Sequence, residues 1–150
     1  MTKHNQPDKH NLLHVLAAAK TAGLKITQSR HDLIELLHAA PNPQTAYELR
    51  DTLSRKCHKD IKPTTIYRAL DALCEAGVVV KIESENSFTL CNHVGHDHQH
   101  AFLVCKKCGT VAEIADHAAS EALVKKAQKL DFQVSRQILE LHGLCRSCRA

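Results

Sequence analysis

The chain has 150 residues, 43% apolar and 24% charged, with a formal net charge of +4. It is too apolar for a disordered chain and has no uncharged apolar run long enough to span a membrane. Twelve His and seven Cys stand beside no Trp, two Tyr and three Phe, and that odd cysteine count argues for metal or redox chemistry rather than a disulfide framework. The polar start, Met1 to Pro7, lacks the apolar core of a signal peptide, so a cytoplasmic protein is expected.

In chain order, Leu12, Leu13, Leu16 and Ala19 recur at helical spacing, and Gly23 can end that helix. Thr27 can cap a second helix with Leu33, Ile34 and Leu37 inward, and Pro41-Asn42-Pro43 stops it. Thr45 with Glu48 has the capping-box spacing and opens a third helix with Leu49 and Leu53 inward. Pro63 suits the first position of a fourth helix and Gly77 its end. There Ile66, Ala69, Leu70, Leu73 and Cys74 share one side, while Thr64, Arg68, Asp71 and Glu75 share the other, with Tyr67 on the flank. The hydroxyls and the guanidinium come early and the acids late, which suits a helix entering a major groove by its N-terminal end. Thr64, Thr65, Tyr67 and Arg68 are candidate contacts, Arg for guanine and the hydroxyls for phosphate. After Gly77 the pattern turns to β: Val78 to Ile82, a turn Glu83 to Ser87, then Phe88 to Cys91. Helices followed by a hairpin predict a winged helix-turn-helix. The same pattern fits a small helical domain whose charged outer faces are only solvated.

The second part of the chain has a different composition. Residues 91–150 hold five of the seven Cys, and four His fall between residues 93 and 100. Charge does not mark the change, since residues 1–90 and 91–150 each carry a net +2. A domain over residues 1–91, a hinge near 84–93 and a second domain over 92–150 are expected. Cys105-Lys-Lys-Cys108-Gly109 and Cys145-Arg-Ser-Cys148 are two CxxC units, 36 residues apart. Two such knuckles supply four sulfurs in a tetrahedron, a closed structural zinc site. A redox dithiol is the competing reading of either one alone. Strands are expected at Ala101 to Val104, Thr110 to Ile114, from Phe132 onward and at Ile138 to Leu141. A helix is expected from about Ala118 to Leu130 with Leu123, Val124 and Ala127 inward. This α/β unit has more apolar strand face than one helix covers, so a homodimer is expected. The fold class is therefore α+β: a winged helix-turn-helix followed by a small α/β dimerisation domain with a four-cysteine zinc site.

Cys91 ends the hairpin, and His93, His96, His98 and His100 follow it. His96, His98 and His100 alternate, and Glu113 can face them from a paired strand. One thiolate, two imidazoles and one carboxylate make a mixed-ligand zinc site, and its position at the boundary suits a regulatory role. A solvated His-rich turn is the alternative.

At this point the sequence resembles the ferric uptake regulator (Fur) family, most closely its zinc uptake regulator (Zur) branch. The likeness rests on Gly23-Leu24-Lys25-Ile26-Thr27-Gln28-Ser29-Arg30, on Lys62-Pro63-Thr64-Thr65-Ile66-Tyr67-Arg68-Ala69-Leu70, and on the Cys105 knuckle. The segment Leu141-His142-Gly143-Leu144-Cys145 points to the Zur branch. The resemblance implies a homodimeric, metal-dependent repressor of zinc uptake genes, acting on double-stranded operator DNA, with one structural zinc and at least one regulatory zinc per subunit. It implies that Lys25, Arg30, Tyr47, Tyr67 and Arg68 lie at DNA-contacting places and that Cys91, His98 and Glu113 are sensor ligands. A further ligand often stands where this chain has Val80, which cannot coordinate. The fourth donor is then His96 or His100, with His93 a further candidate. An iron, manganese or peroxide sensor of the same family is the nearest rival. A CxxC oxidoreductase or a zinc hydrolase using Glu113 as base is a distant one, and no enzyme is expected.

Overall fold

The structure is a computed structural model, and it describes residues 11–92, 94 and 100–150, with 100 and 115 described by backbone alone. It divides into two compact units, the first running to residue 96 and the second from residue 97.

In the first unit, Asn11 caps α1 (Leu12–Thr21), its side-chain oxygen accepting the Leu13 amide at 3.1 Å. Val15 and Ala19 carry the buried face of α1. Leu13, which shares the helical spacing of the other apolar residues, is 72% exposed, because two positions along a helix turn a side chain about 200° away from Val15. Gly23 leaves α1 at φ +80, as its place after the last apolar residue predicts. Thr27 caps α2 (Gln28–Ala39), which buries Leu33, Ile34 and Leu37. The capping box forms in full at α3 (Ala46–Cys57): Thr45 Oγ1 accepts the Glu48 amide at 3.2 Å, and Glu48 Oε2 accepts the Thr45 amide at 2.8 Å. α4 (Pro63–Glu75) starts on its proline and buries Ile66, Ala69, Leu70 and Leu73, with Cys74 half-buried.

Gly77, at φ +69, turns the chain into β2 (Val79–Ile82). A single 3-10 turn at Glu83–Glu85 and a left-handed Asn86 lead back into β3 (Ser87–Leu90). The sequence pattern missed the third strand, β1 (Gln44–Thr45), which pairs antiparallel with β3 and gives the sheet order β1-β3-β2. Two polar residues carry no alternation to read, and only the pairing with Phe88 and Ser87 makes them a strand. The four helices and the sheet enclose one core, led by Leu33, Ile34, Leu49, Leu53, Ile66, Leu70, Leu73, Val78 and Val79. This is a winged helix-turn-helix.

The second unit holds β4 (His100–Cys105), β5 (Val111–Ala115), α5 (His117–Gln128), β6 (Leu139–Gly143) and α6 (Arg146–Arg149). Its sheet runs β5-β4-β6, with β4 antiparallel to β5 and parallel to β6. The strand expected from Phe132 is absent: after α5, Asp131 takes a left-handed φ of 55 and Phe132 is exposed. Leu123, expected inward, is also exposed, while Ser120 is buried and Val124 and Ala127 are half-buried. Among the described residues the buried apolar set of this unit is Phe102, Val104 and Cys105, whereas Leu103, Ile114, Leu123, Leu130, Phe132, Ile138, Leu141 and Leu144 are exposed. Such a surface is more apolar than a lone monomer keeps in water. Among the described residues, no helix is long and apolar enough to cross a membrane.

Candidate metal centre and nucleic-acid interface

The antiparallel pair β4 and β5 carries the first knuckle in its connection. Cys105 ends β4, its amide donates to the Thr110 carbonyl at 3.0 Å, and its carbonyl accepts the Gly109 amide at 2.9 Å. Gly109 makes this turn possible at φ +72. The parallel strand β6 brings the second knuckle alongside: the Lys106 amide donates to the Gly143 carbonyl at 2.9 Å. α6, not foreseen from the sequence, then turns Cys148 back beside Cys145, with the Cys148 amide on the Cys145 carbonyl at 3.0 Å.

The four sulfurs of Cys105, Cys108, Cys145 and Cys148 all lie within 4.8 Å of one another, and Cys108 and Cys145 are 3.7 Å apart. A tetrahedron of sulfurs about 2.3 Å from a zinc ion has edges of about 3.8 Å. The spacing is therefore that of a four-cysteine zinc site and far from the bonded distance of a disulfide, and none of the seven cysteines is in a disulfide.

The thiol chemistry agrees. Amide donors, first that of Cys145 and then those of Cys108 and Lys107, hold the Cys105 thiol down at about 6. The Thr110 hydroxyl and amide lower the Cys108 thiol. Cys148 is pushed up to about 12, first by its hydrogen bond to Cys145, then by burial and the remaining sulfurs. Four thiols this close resist joint ionisation unless a cation sits among them, so the donor set fits a divalent, thiophilic ion. The depressed Cys105 favours the folded knuckle fully above its ordinary value of 9, and that advantage is lost as the pH falls through about 6. Because protons compete with zinc for four thiolates, zinc release followed with a chromophoric chelator is expected on acidification below neutral pH; release already complete at pH 7.5 would contradict the site.

The other proposed ligands fall on both units. Cys91 is buried in the first, its amide donating to the Val78 carbonyl at 2.9 Å. Glu113 is half-buried on β5, opposite Phe102, and His100 stands opposite Ala115 in the same register. His93, His96 and His98 lie outside the described residues, as does the side chain of His100. Val80 is half-buried against the core of the first unit. Among the described residues, one more group has ligand-type atoms within 4.8 Å: His31, Asp32 and Glu35 on α2. Its carboxylates already have partners. The Gln28 amide binds Asp32 at 2.8 Å, and the Lys56 ammonium binds Glu35 at 3.0 Å.

The outer surface of α4 matches the expected polarity. Thr64, Thr65, Tyr67 and Arg68 are all exposed within its first six residues. Its start has no side-chain cap and no acid in the first turn, so no local carboxylate offsets the positive dipole end there. Tyr47, 66% exposed, projects from the second residue of α3, and Lys25 is exposed ahead of α2. Arg30 differs: its Nη1 donates to the Lys25 carbonyl at 2.6 Å, which ties one guanidinium nitrogen to the turn between α1 and α2. Sequence reasoning missed Arg50 and Ser54 of α3, which bind the turn before α4. Contacts across seven to eleven residues leave no periodic trace.

The chain is similar to known regulators along most of its length. The pattern of the Ferric uptake regulator family matches residues 21–142. That match stops short of Cys145 and Cys148, so the second knuckle stands on the geometry above. The zinc uptake regulation protein of Escherichia coli (strain K12) is 35% identical over 126 residues, covering 83% of this chain and 73% of that protein. A zinc uptake regulator complexed with zinc and DNA superposes with a TM-score of 0.85 at 32% identity, covering 92% of each chain. Holo XcZur superposes with a TM-score of 0.82 at 37% identity, covering 93% of this chain and 99% of the other. The chain belongs to the ferric uptake regulator family.

Proposed function

We infer that this chain is a zinc-responsive transcriptional repressor that binds operator DNA as a zinc-loaded homodimer and controls genes of zinc uptake. The observation that carries the reading is the likeness, over 92% of the chain, to a regulator solved with zinc and DNA. It is a cytoplasmic DNA-binding protein and not an enzyme.

Residues 1–91 form the DNA-binding domain, with its hinge near 84–93, and residues 92–150 the dimerisation domain. The dimer covers the apolar side chains that the second unit leaves exposed, Leu130, Phe132 and Leu141 among them. Cys105, Cys108, Cys145 and Cys148 hold one structural zinc. Cys91, His98 and Glu113, with His96 or His100, hold at least one regulatory zinc. Lys25, Arg30, Tyr47, Thr64, Thr65, Tyr67 and Arg68 contact DNA.

Zinc supplies a divalent charge that holds thiolate, imidazole and carboxylate at fixed distances. When free zinc rises, the Cys91 set restrains the segment joining the two domains, so that two copies of α4 match successive major-groove faces of a pseudo-palindromic operator. Metal and DNA binding tighten each other by the same factor. Bulk charge is not the switch. Four thiolates and one zinc lower the formal +4 to about +2. Regulatory zinc, after losing the Cys91 proton, then adds only about one positive charge, a modest gain in phosphate affinity.

The test uses, as operator, the duplex that the zinc-loaded chain selects from a random pool. Titrated with buffered metals, binding is expected at lower free zinc than free iron(II), because a thiolate ligand favours zinc over iron(II). Iron(II) acting at the lower concentration would overturn the assignment.

A further inference from the structure

We propose that Arg50 and Ser54 of α3 are positioning residues for operator recognition: they clamp the turn that places the N-terminal end of α4. The proposal rests on the reading of α4 as the helix that meets DNA.

α3 ends at His58 in the left-handed conformation, φ 49, and the Lys59 amide returns to the Ser54 carbonyl at 3.1 Å. The next residues run toward Pro63, where α4 begins. Between them Ile61 is held from both sides of its backbone. Arg50 Nε donates to the Ile61 carbonyl at 3.0 Å, and the Ile61 amide donates to Ser54 Oγ at 3.2 Å. Arg50 and Ser54 are four residues apart on one face of α3, which is the spacing that lets two side chains reach one target. Ile61 itself packs, half-buried, against the core.

This matters because no side-chain cap adds to Pro63 and to the Thr65 amide on the Lys62 carbonyl (3.0 Å) in fixing where α4 starts. Lys62 stands at the cap position without a side-chain hydrogen bond, and Pro63 cannot donate one. The clamp two residues upstream takes that role. Arg50 also reaches Asp60 Oδ1 at 3.2 Å, but Asp60 is 86% exposed, so that pair is worth little. The Arg50 side chain is 28% exposed and its Nε is committed to a backbone carbonyl. Its effect on DNA binding therefore runs through the placement of Thr64, Thr65 and Arg68 and not through charge on phosphate. A lysine cannot reproduce the planar fork that spans Ile61 and Asp60.

The experiment measures binding of the zinc-loaded full-length dimer to the selected operator and to a scrambled duplex of equal length, across salt concentrations. Arg50→Met is expected to lower operator affinity about tenfold while scrambled-duplex affinity and the salt slope stay at wild-type values. Zinc content is expected to be unchanged. Ser54→Ala should shift the same ratio in the same direction with no charge removed, and Arg50→Lys should restore only part of it. An unchanged ratio in both Arg50→Met and Ser54→Ala overturns the proposal. Equal loss on both duplexes with a shallower salt slope also overturns it, by making Arg50 a phosphate contact. If Arg50→Met does not fold, Ser54→Ala and Arg50→Lys carry the same decision. Arg68→Ala, run in parallel, separates the premise: if it leaves operator binding intact, the reading of α4 fails, whereas its loss beside intact clamp variants sinks the clamp alone.

Discussion

Cys105→Ser is expected to strip zinc from the second unit and to unfold it. Cys105 is the most buried of the four cysteines, 5% exposed, and it is also a structural node. It closes β4, turns the first knuckle through its carbonyl, and receives the Cys145 amide on its sulfur at 3.3 Å. Serine keeps the turn but offers a hydroxyl that does not ionise near neutral pH. The unit around it buries little else, with Phe102 and Val104 as its other buried apolar residues among those described. A structural zinc site contributes about 10 kcal/mol or more of apparent binding free energy, comparable with the whole stability of a small domain. The variant should contain less than one zinc per chain beyond any regulatory ion, lose its dimer on size-exclusion chromatography, and aggregate. A folded, dimeric Cys105→Ser protein would contradict the structural role.

Arg68→Ala should do the opposite, keeping zinc and fold while losing DNA. Arg68 is exposed on the outer side of α4, behind the two threonines and beside Tyr67. A guanidinium there can bind a guanine edge with two hydrogen bonds, worth about 1–3 kcal/mol. The expected loss is thus roughly tenfold to a hundredfold in operator affinity per half-site, with base preference relaxed at one position in each. Thermal stability should move little, since exposed substitutions of this kind change it by about 0.5 kcal/mol or less. Loss of zinc or of the dimer in Arg68→Ala would contradict the assigned role.

Much of the first unit was legible because its signals are local. Thr45 and Glu48 form the capping box their spacing predicts, Pro63 opens α4, and Gly23 and Gly77 take the positive φ their places require. The two CxxC units were legible for the same reason, since each is a short turn. What failed needed knowledge of distant partners. β1 exists through its pairing with β3. Leu13 shares the helical spacing of its neighbours but points away from Val15, and spacing among four apolar residues does not say which of them lie inside. Leu123 and Phe132 are apolar yet exposed on the single chain, and hydrophobicity reads alike for a core and for a dimer interface. α6 is four residues long and carries two arginines, so it has no apolar face to announce it. The Arg50 clamp spans eleven residues to Ile61 and leaves no motif.

The proposed regulatory site has the most specific consequence. Cys91 is buried within the first unit, and serine there keeps the volume while removing the soft donor. The direct measurement is operator binding against buffered free zinc for the wild-type chain, Cys91→Ser and His96→Ala, each carrying its structural zinc. The wild type should switch from weak to tight binding over a narrow range of free zinc, and Cys91→Ser should remain a folded dimer whose switch is lost or moved to at least tenfold higher zinc, an order-of-magnitude expectation for losing one ligand. His96→Ala should shift it too if His96 is the fourth ligand, and leave it in place if His100 is. A Cys91→Ser dimer that switches at the wild-type zinc concentration would contradict the account.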